Sequence, residues 1–127
     1  MKMLVFGHGY SAGFLTPLLR ARGWQVTGTT RNDPGRVAAA GAQPVLWPGE
    51  EERLRSEIAS ADAVLVSAAP GPQGDPVLAA FRDDLARARP FWLGYLSTTG
   101  VYGDRNGGWV DEDSALDATG PRGAARI

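Results

Sequence analysis

The chain has 127 residues, 13 basic and 14 acidic, and a net charge of −1. A chain of this length buries roughly two-thirds of its unfolded surface, enough for one core and not for two. It has no cysteine and a single histidine, which excludes disulfides, thiolate chemistry and cysteine metal sites, so no metal is expected; its balanced charge lacks the broad basic surface that nucleic acid requires. No apolar run approaches the ~18 residues of a membrane span, and the amino terminus enters a strand and a glycine loop too early for a signal peptide. A soluble, cytoplasmic protein is expected. The 17 glycines and 9 prolines are spread through turns, and there is no internal repeat.

Short apolar strands alternate with amphipathic stretches along the chain, the pattern of a parallel sheet with crossover helices. Lys2 to Phe6 is the first strand. The spacing of Phe14, Leu15, Leu18 and Leu19 predicts a helix from Ser11 to Arg22, with Pro17 inside it as a potential kink. Gln25 to Thr29 reads as a strand, Arg36 to Ala40 as a short helix, Pro44 to Trp47 as a third strand and Glu51 to Ser60 as a helix. The unbroken run Ala63-Val64-Leu65-Val66 is that of a central parallel strand buried on both faces, and it gives way to a loop over Ala68 to Pro72. From Asp75 to Arg89, Val77, Leu78, Phe81 and Leu85 share one helical face, and Phe91 to Leu96 is the fifth strand.

After Gly103 the chain is polar, rich in glycine and acidic residues, and shows no strand or helix pattern. The expected architecture is an α/β, Rossmann-type doubly wound sheet of about five strands over residues 1–103, followed by an irregular segment, 104–127. Five strands against the usual six read as the first part of a longer protein, with the fifth strand left as an open edge.

Two clusters carry candidate chemistry. The first, Gly7-His8-Gly9-Tyr10-Ser11-Ala12, follows a strand and opens a helix, the context of a dinucleotide fingerprint. Residues without a β-carbon let a pyrophosphate approach the backbone, and the helix offers unpaired N–H groups and its positive dipole end. An ordinary tight strand-to-helix turn is the bland alternative. The second strand ends in Thr30-Arg31 rather than in an acidic side chain, which favours the 2′-phosphate of NADP over the 2′-hydroxyl of NAD. Arg31 is otherwise a solvated residue or a partner for Asp33. His8 is read as packing or bonding locally rather than as chemistry, and Trp47 is open to adenine stacking or to the core. The second cluster, Ser97-Thr98-Thr99-Gly100-Val101-Tyr102-Gly103, lies at the carboxyl end of the fifth strand, where open α/β sheets bind ligands. Serine and threonine also simply terminate strands.

Taken together, these residues resemble the extended short-chain dehydrogenase/reductase family, in its NAD(P)-dependent epimerase/dehydratase group. The resemblance runs from the Gly7 loop through Ala68 and Ala69 to Ser97 to Gly103. It implies that Gly7, Gly9, Tyr10, Ser11, Ala12, Thr30, Arg31, Ala68 and Ala69 contact the cofactor. It also implies that the Thr98 hydroxyl polarises the reacting oxygen. The family then carries a Y-x-x-x-K pair about twenty residues further on. This chain has no tyrosine after Tyr102 and no lysine after Lys2, and holds Arg122-Gly123-Ala124-Ala125-Arg126 at that distance. An arginine cannot shuttle protons near neutral pH. The arrangement is similar to that of atypical members, in which Arg126 is placed near the cofactor and Tyr102 is the one nearby side chain able to replace the lost acid/base.

The expected function is thus an NADP-dependent oxidoreductase or epimerase-type protein acting on a small polar or sugar-like substrate. The alternative is a sensor or scaffold that holds the dinucleotide without hydride chemistry; a nucleotide-free interaction domain would leave the glycine loop unexplained. A small molecule is the expected partner and a homodimer is left open; neither nucleic acid nor membrane is expected.

Overall fold

In the computed structural model, which describes residues 1–127, five strands alternate with helices. They are β1 (Lys2–Phe6), α1 (Tyr10–Ala21), β2 (Gln25–Thr30), α2 (Pro34–Ala39), β3 (Gln43–Leu46), α3 (Glu51–Ser60), β4 (Ala63–Val66), α4 (Pro76–Ala88) and β5 (Trp92–Tyr95). All four strand pairings are parallel, in the order β3-β2-β1-β4-β5. This is a Rossmann-like α/β fold. The order reverses between β1 and β4, and ligands of such sheets bind at the carboxyl ends of the strands beside that reversal.

Strand alternation sorts the core into two layers. From β1, Leu4 and Phe6 join Leu54, Ile58, Val77 and Phe81 beneath α3 and α4, while Met3 and Val5 join Ala12, Val26 and Val37 beneath α1 and α2. β4 is buried throughout, as a central strand must be. β5 has one partner strand only, and Trp92, Leu93 and Tyr95 are all exposed.

Three details differ from the sequence reading. The face α1 buries is formed by Ala12 and Thr16, with Leu15 and Leu19 half-buried, and Phe14 and Leu18 are exposed because α1 presses on the sheet through its smallest side chains. Both α2 and α4 open on an Asp-Pro pair: Asp33 accepts from the Arg36 N–H at 3.1 Å, and Asp75 accepts from the N–H groups of Val77 and Leu78 at 2.8 and 2.9 Å. These caps place the start of α2 at Pro34, two residues before the expected Arg36. The third difference lies in the last stretch. It holds a short helix, α5 (Pro121–Ala124), packed against a 3-10 turn at Thr99–Tyr102. That contact depends on glycine, since a β-carbon on Gly123 would lie 2.6 Å from the Gly100 carbonyl oxygen. Between them, Arg105 donates to the carbonyls of Tyr102 and Ala115 and closes the loop that returns through Asp117 to Val101. No helix is long and apolar enough to cross a membrane.

Candidate functional site: a cleft at the strand-order reversal

Gly7 ends β1 with φ of +79°, a conformation that side chains resist. A β-carbon there would also stand 2.8 Å from the Ala68 nitrogen, so glycine is what lets the loops after β1 and β4 touch. The Gly7 N–H donates to the Thr29 hydroxyl at 2.7 Å, which fixes this corner to β2.

Gly9 is different. It caps α1 at φ of −105° and ψ of −145°, and the sole atom within 4 Å of a β-carbon built on it is the Gly7 oxygen at 3.9 Å. No neighbouring atom of the fold therefore excludes a side chain at position 9. Beyond it, no side chain caps α1, and the N–H groups of Tyr10, Ser11 and Ala12 have no partner within the chain. Open donors at the start of a helix of 12 residues form an anion cradle.

Gly7, Thr30, Arg31, Ala68 and Ala69 line one cleft of about 280 Å³ together with Thr29, Trp47, Pro48 and Pro76. Thr30 is buried and its hydroxyl accepts from the Asp33 N–H at 3.2 Å, which shapes the turn that presents Arg31. Arg31 forms no ion pair: Asp33 is engaged by Arg36 at 3.6 Å. Trp47 packs on Phe6 and Phe81 at centroid distances of 5.6 Å, the core role considered for it, and also walls the cleft.

His8 packs, as its place between two glycines suggests. It is 1% exposed, its N–H donates to the Thr29 carbonyl at 2.9 Å, and its ring Nε2 meets the Thr16 hydroxyl at 2.7 Å. Burial pushes the imidazole below its ordinary value, against a smaller opposing effect of the His8 backbone, and the Arg36 guanidinium pushes the same way as burial. Gly28 on β2 makes room for the ring; its β-carbon would lie 2.6 Å from the His8 Cδ2. Neither Gly28 nor Thr16 stands out in the sequence, because the three meet only through the β1–α1–β2 packing.

No family model matches the sequence, and no curated protein does. Among solved structures, a functionally unknown conserved protein from Silicibacter pomeroyi DSS is 48% identical, with a TM-score of 0.90 over 98% of this chain and 45% of that one. The UDP-glucuronic acid 4-epimerase from Bacillus cereus, solved in complex with NAD, has a TM-score of 0.71 at 21% identity, over 99% of this chain and 49% of its own. The UDP-glucose 4-epimerase from Bifidobacterium longum, solved with NAD+ and UDP, has a TM-score of 0.68 at 18% identity, over 99% and 46%. This chain shares the fold of these UDP-sugar 4-epimerases. It spans about half the length of the solved structures that it matches.

On this fold the second cluster sits apart from the first. β5 lies two strands from β1, roughly 10 Å across the sheet, and none of Ser97 to Gly103 lines the cleft. The Thr98 hydroxyl oxygen accepts from the Gly100 N–H at 3.3 Å, so its own proton remains free to donate. Tyr102 is half-buried in the 3-10 turn. Arg126 lies elsewhere again, in a recess with Asp75, Leu78, Leu93 and Tyr95, where its Nη1 donates to the Arg122 carbonyl at 3.1 Å. Burial raises the Tyr95 phenol there, and the Arg126 charge partly offsets it.

Proposed function

We infer that this chain is the dinucleotide-binding part of an NADP-dependent oxidoreductase or epimerase/dehydratase-type protein that acts on a small polar or sugar-like substrate. The observation that carries the reading is Gly9: a glycine with open space where its side chain would stand, placed before three unpartnered helix amides. A pyrophosphate is the anion that such a position admits, with Gly7 and the amides of Tyr10, Ser11 and Ala12 around it. The adenosine half then falls in the cleft lined by Thr30, Arg31, Ala68 and Ala69. An unpaired Arg31 at the end of β2 supports NADP, since a guanidinium binds a 2′-phosphate through charged hydrogen bonds and offers a 2′-hydroxyl much less. The neighbours solved with NAD support the same cofactor class.

The bound nicotinamide supplies the hydride chemistry. Thr98, at the same edge of the sheet, donates its free hydroxyl proton to the reacting oxygen, and Tyr102 is the nearest candidate for the acid/base. A second reading, a dinucleotide sensor or scaffold without turnover, is favoured by Arg126, whose guanidinium stays protonated and is tied to Arg122.

The test is Gly9→Ala beside Gly9→Val. Both are expected to keep the fold, with a stability change within about 1 kcal/mol, and to lose nucleotide affinity at least about tenfold, ~1.4 kcal/mol. Affinity retained by Gly9→Val would contradict pyrophosphate binding at this loop.

A further inference from the structure

The His8 ring is bonded to α1, packed on β2 and placed inside the glycine loop. Its own N–H holds the loop to Thr29, its ring crosses β2 over Gly28, and its Nε2 reaches Thr16. Thr16 in turn donates its hydroxyl proton to the Ala12 carbonyl at 2.8 Å, in the first turn of α1. That hydroxyl has one proton and it is committed, so Nε2 is the donor to Thr16 and the neutral ring carries its proton on Nε2. Nδ1 is left as a buried lone pair without a partner.

We propose that His8 is the positioning residue of the phosphate-facing loop, a neutral ring locked between β2 and α1, and that its protonation releases the loop and the nucleotide held there. Nδ1 has no hydrogen-bond partner in a site that is 1% exposed, and the one group that favours a charged ring, the backbone of His8 itself, is outweighed by burial. The charged group acting on the ring is Arg36 of α2, of the same sign, while α1 and β2 present Thr16, Gly28 and Thr29, which do not titrate. A charged ring therefore leaves its pocket. Because His8 lies between Gly7 and Gly9, the cradle cannot keep its shape when the ring moves. The nucleotide part of this inference rests on the dinucleotide reading above; the part that concerns the loop does not.

The chain has one histidine, so its imidazole signals are unambiguous in NMR. The expected results are a neutral Nε2–H ring at neutral pH, protonation below the ordinary value of about 6.5, and shifts of the Gly7 and Gly9 amides that follow the imidazole. Calorimetry with NADP+ then compares the wild-type chain with His8→Gln, whose side-chain amide can still donate to Thr16 but cannot take up a proton. Affinity is expected to fall roughly tenfold more in the wild type than in His8→Gln between about pH 7.5 and about pH 5.5, the titration of the ligand itself being common to both. An imidazole that titrates at or above its ordinary value, glycine amides indifferent to it, or equal losses in the two proteins would overturn the proposal. Absence of NADP+ binding at neutral pH would strike the dinucleotide reading, while the imidazole and amide titrations still decide whether His8 holds the loop.

Discussion

Arg31 is held at the end of β2 by a turn that needs the Thr30 hydroxyl, and no carboxylate claims its charge. Removing it by Arg31→Ala is expected to weaken NADP+ binding by ~1.5–3 kcal/mol, the worth of a charged hydrogen bond, and to leave NAD+ nearly unchanged. Isothermal titration with both nucleotides decides this, and equal losses would contradict the 2′-phosphate assignment. His8 gives a prediction of a different kind. Its folded value is lowered, so the unfolded chain binds the proton more readily, and stability is lost as pH falls below the unfolded value of about 6.5. Thermal midpoints of the wild type are expected to drop over that range, and those of His8→Gln to drop less. Gly7 and Arg31 were legible in the sequence because their chemistry is local: a positive φ at a strand end, a cation where an acid is usual. The His8–Thr16–Gly28 set was not, because a buried ring over a strand glycine is created by packing. Gly9 was legible as a glycine of the loop, but that no neighbour fills the place of its side chain appears only from the structure.

At the scale of elements, the alternating pattern predicted every strand and the four longer helices to within two residues, and the shifts have local causes. Asp33-Pro34 and Asp75-Pro76 are helix starts written in the sequence, since the aspartate caps and proline suits the first helical turn. Asp75→Ala is expected to cost about 1 kcal/mol in chemical denaturation, within the range of about 0.5–2 for lost caps, because two N–H groups lose their acceptor. α1 runs unbroken through Pro17, which is exposed, so the carbonyl that its missing N–H leaves free lies on the solvent side. The buried face of α1 does not follow from the hydrophobic spacing that predicts the helix, because small residues, not large ones, allow a helix to lie close to a sheet. The short α5 escaped notice for a related reason: four residues held by the contact of Gly123 with Gly100 carry no periodicity.

For the whole molecule, the sheet is closed on one face by α1 and α2 and on the other by α3 and α4, but its β5 edge is open. Leu93 in β5 is 54% exposed, Phe91 and Leu96 on either side of the strand are 66% and 42% exposed, and the strand has unpaired backbone groups on its outer side. Such an edge pairs readily with another strand. The chain alone is expected to associate with rising concentration in sedimentation experiments, and Leu93→Lys to reduce that association; a monomer at all concentrations would speak against it.

The central claim is that the carboxyl edge of this sheet binds a dinucleotide and prefers NADP. Titration of the purified chain with NADP+ and with NAD+ by calorimetry tests it most directly. Saturable binding of one equivalent, tighter for NADP+, is the predicted result. Heat changes indistinguishable from dilution for both nucleotides would contradict it.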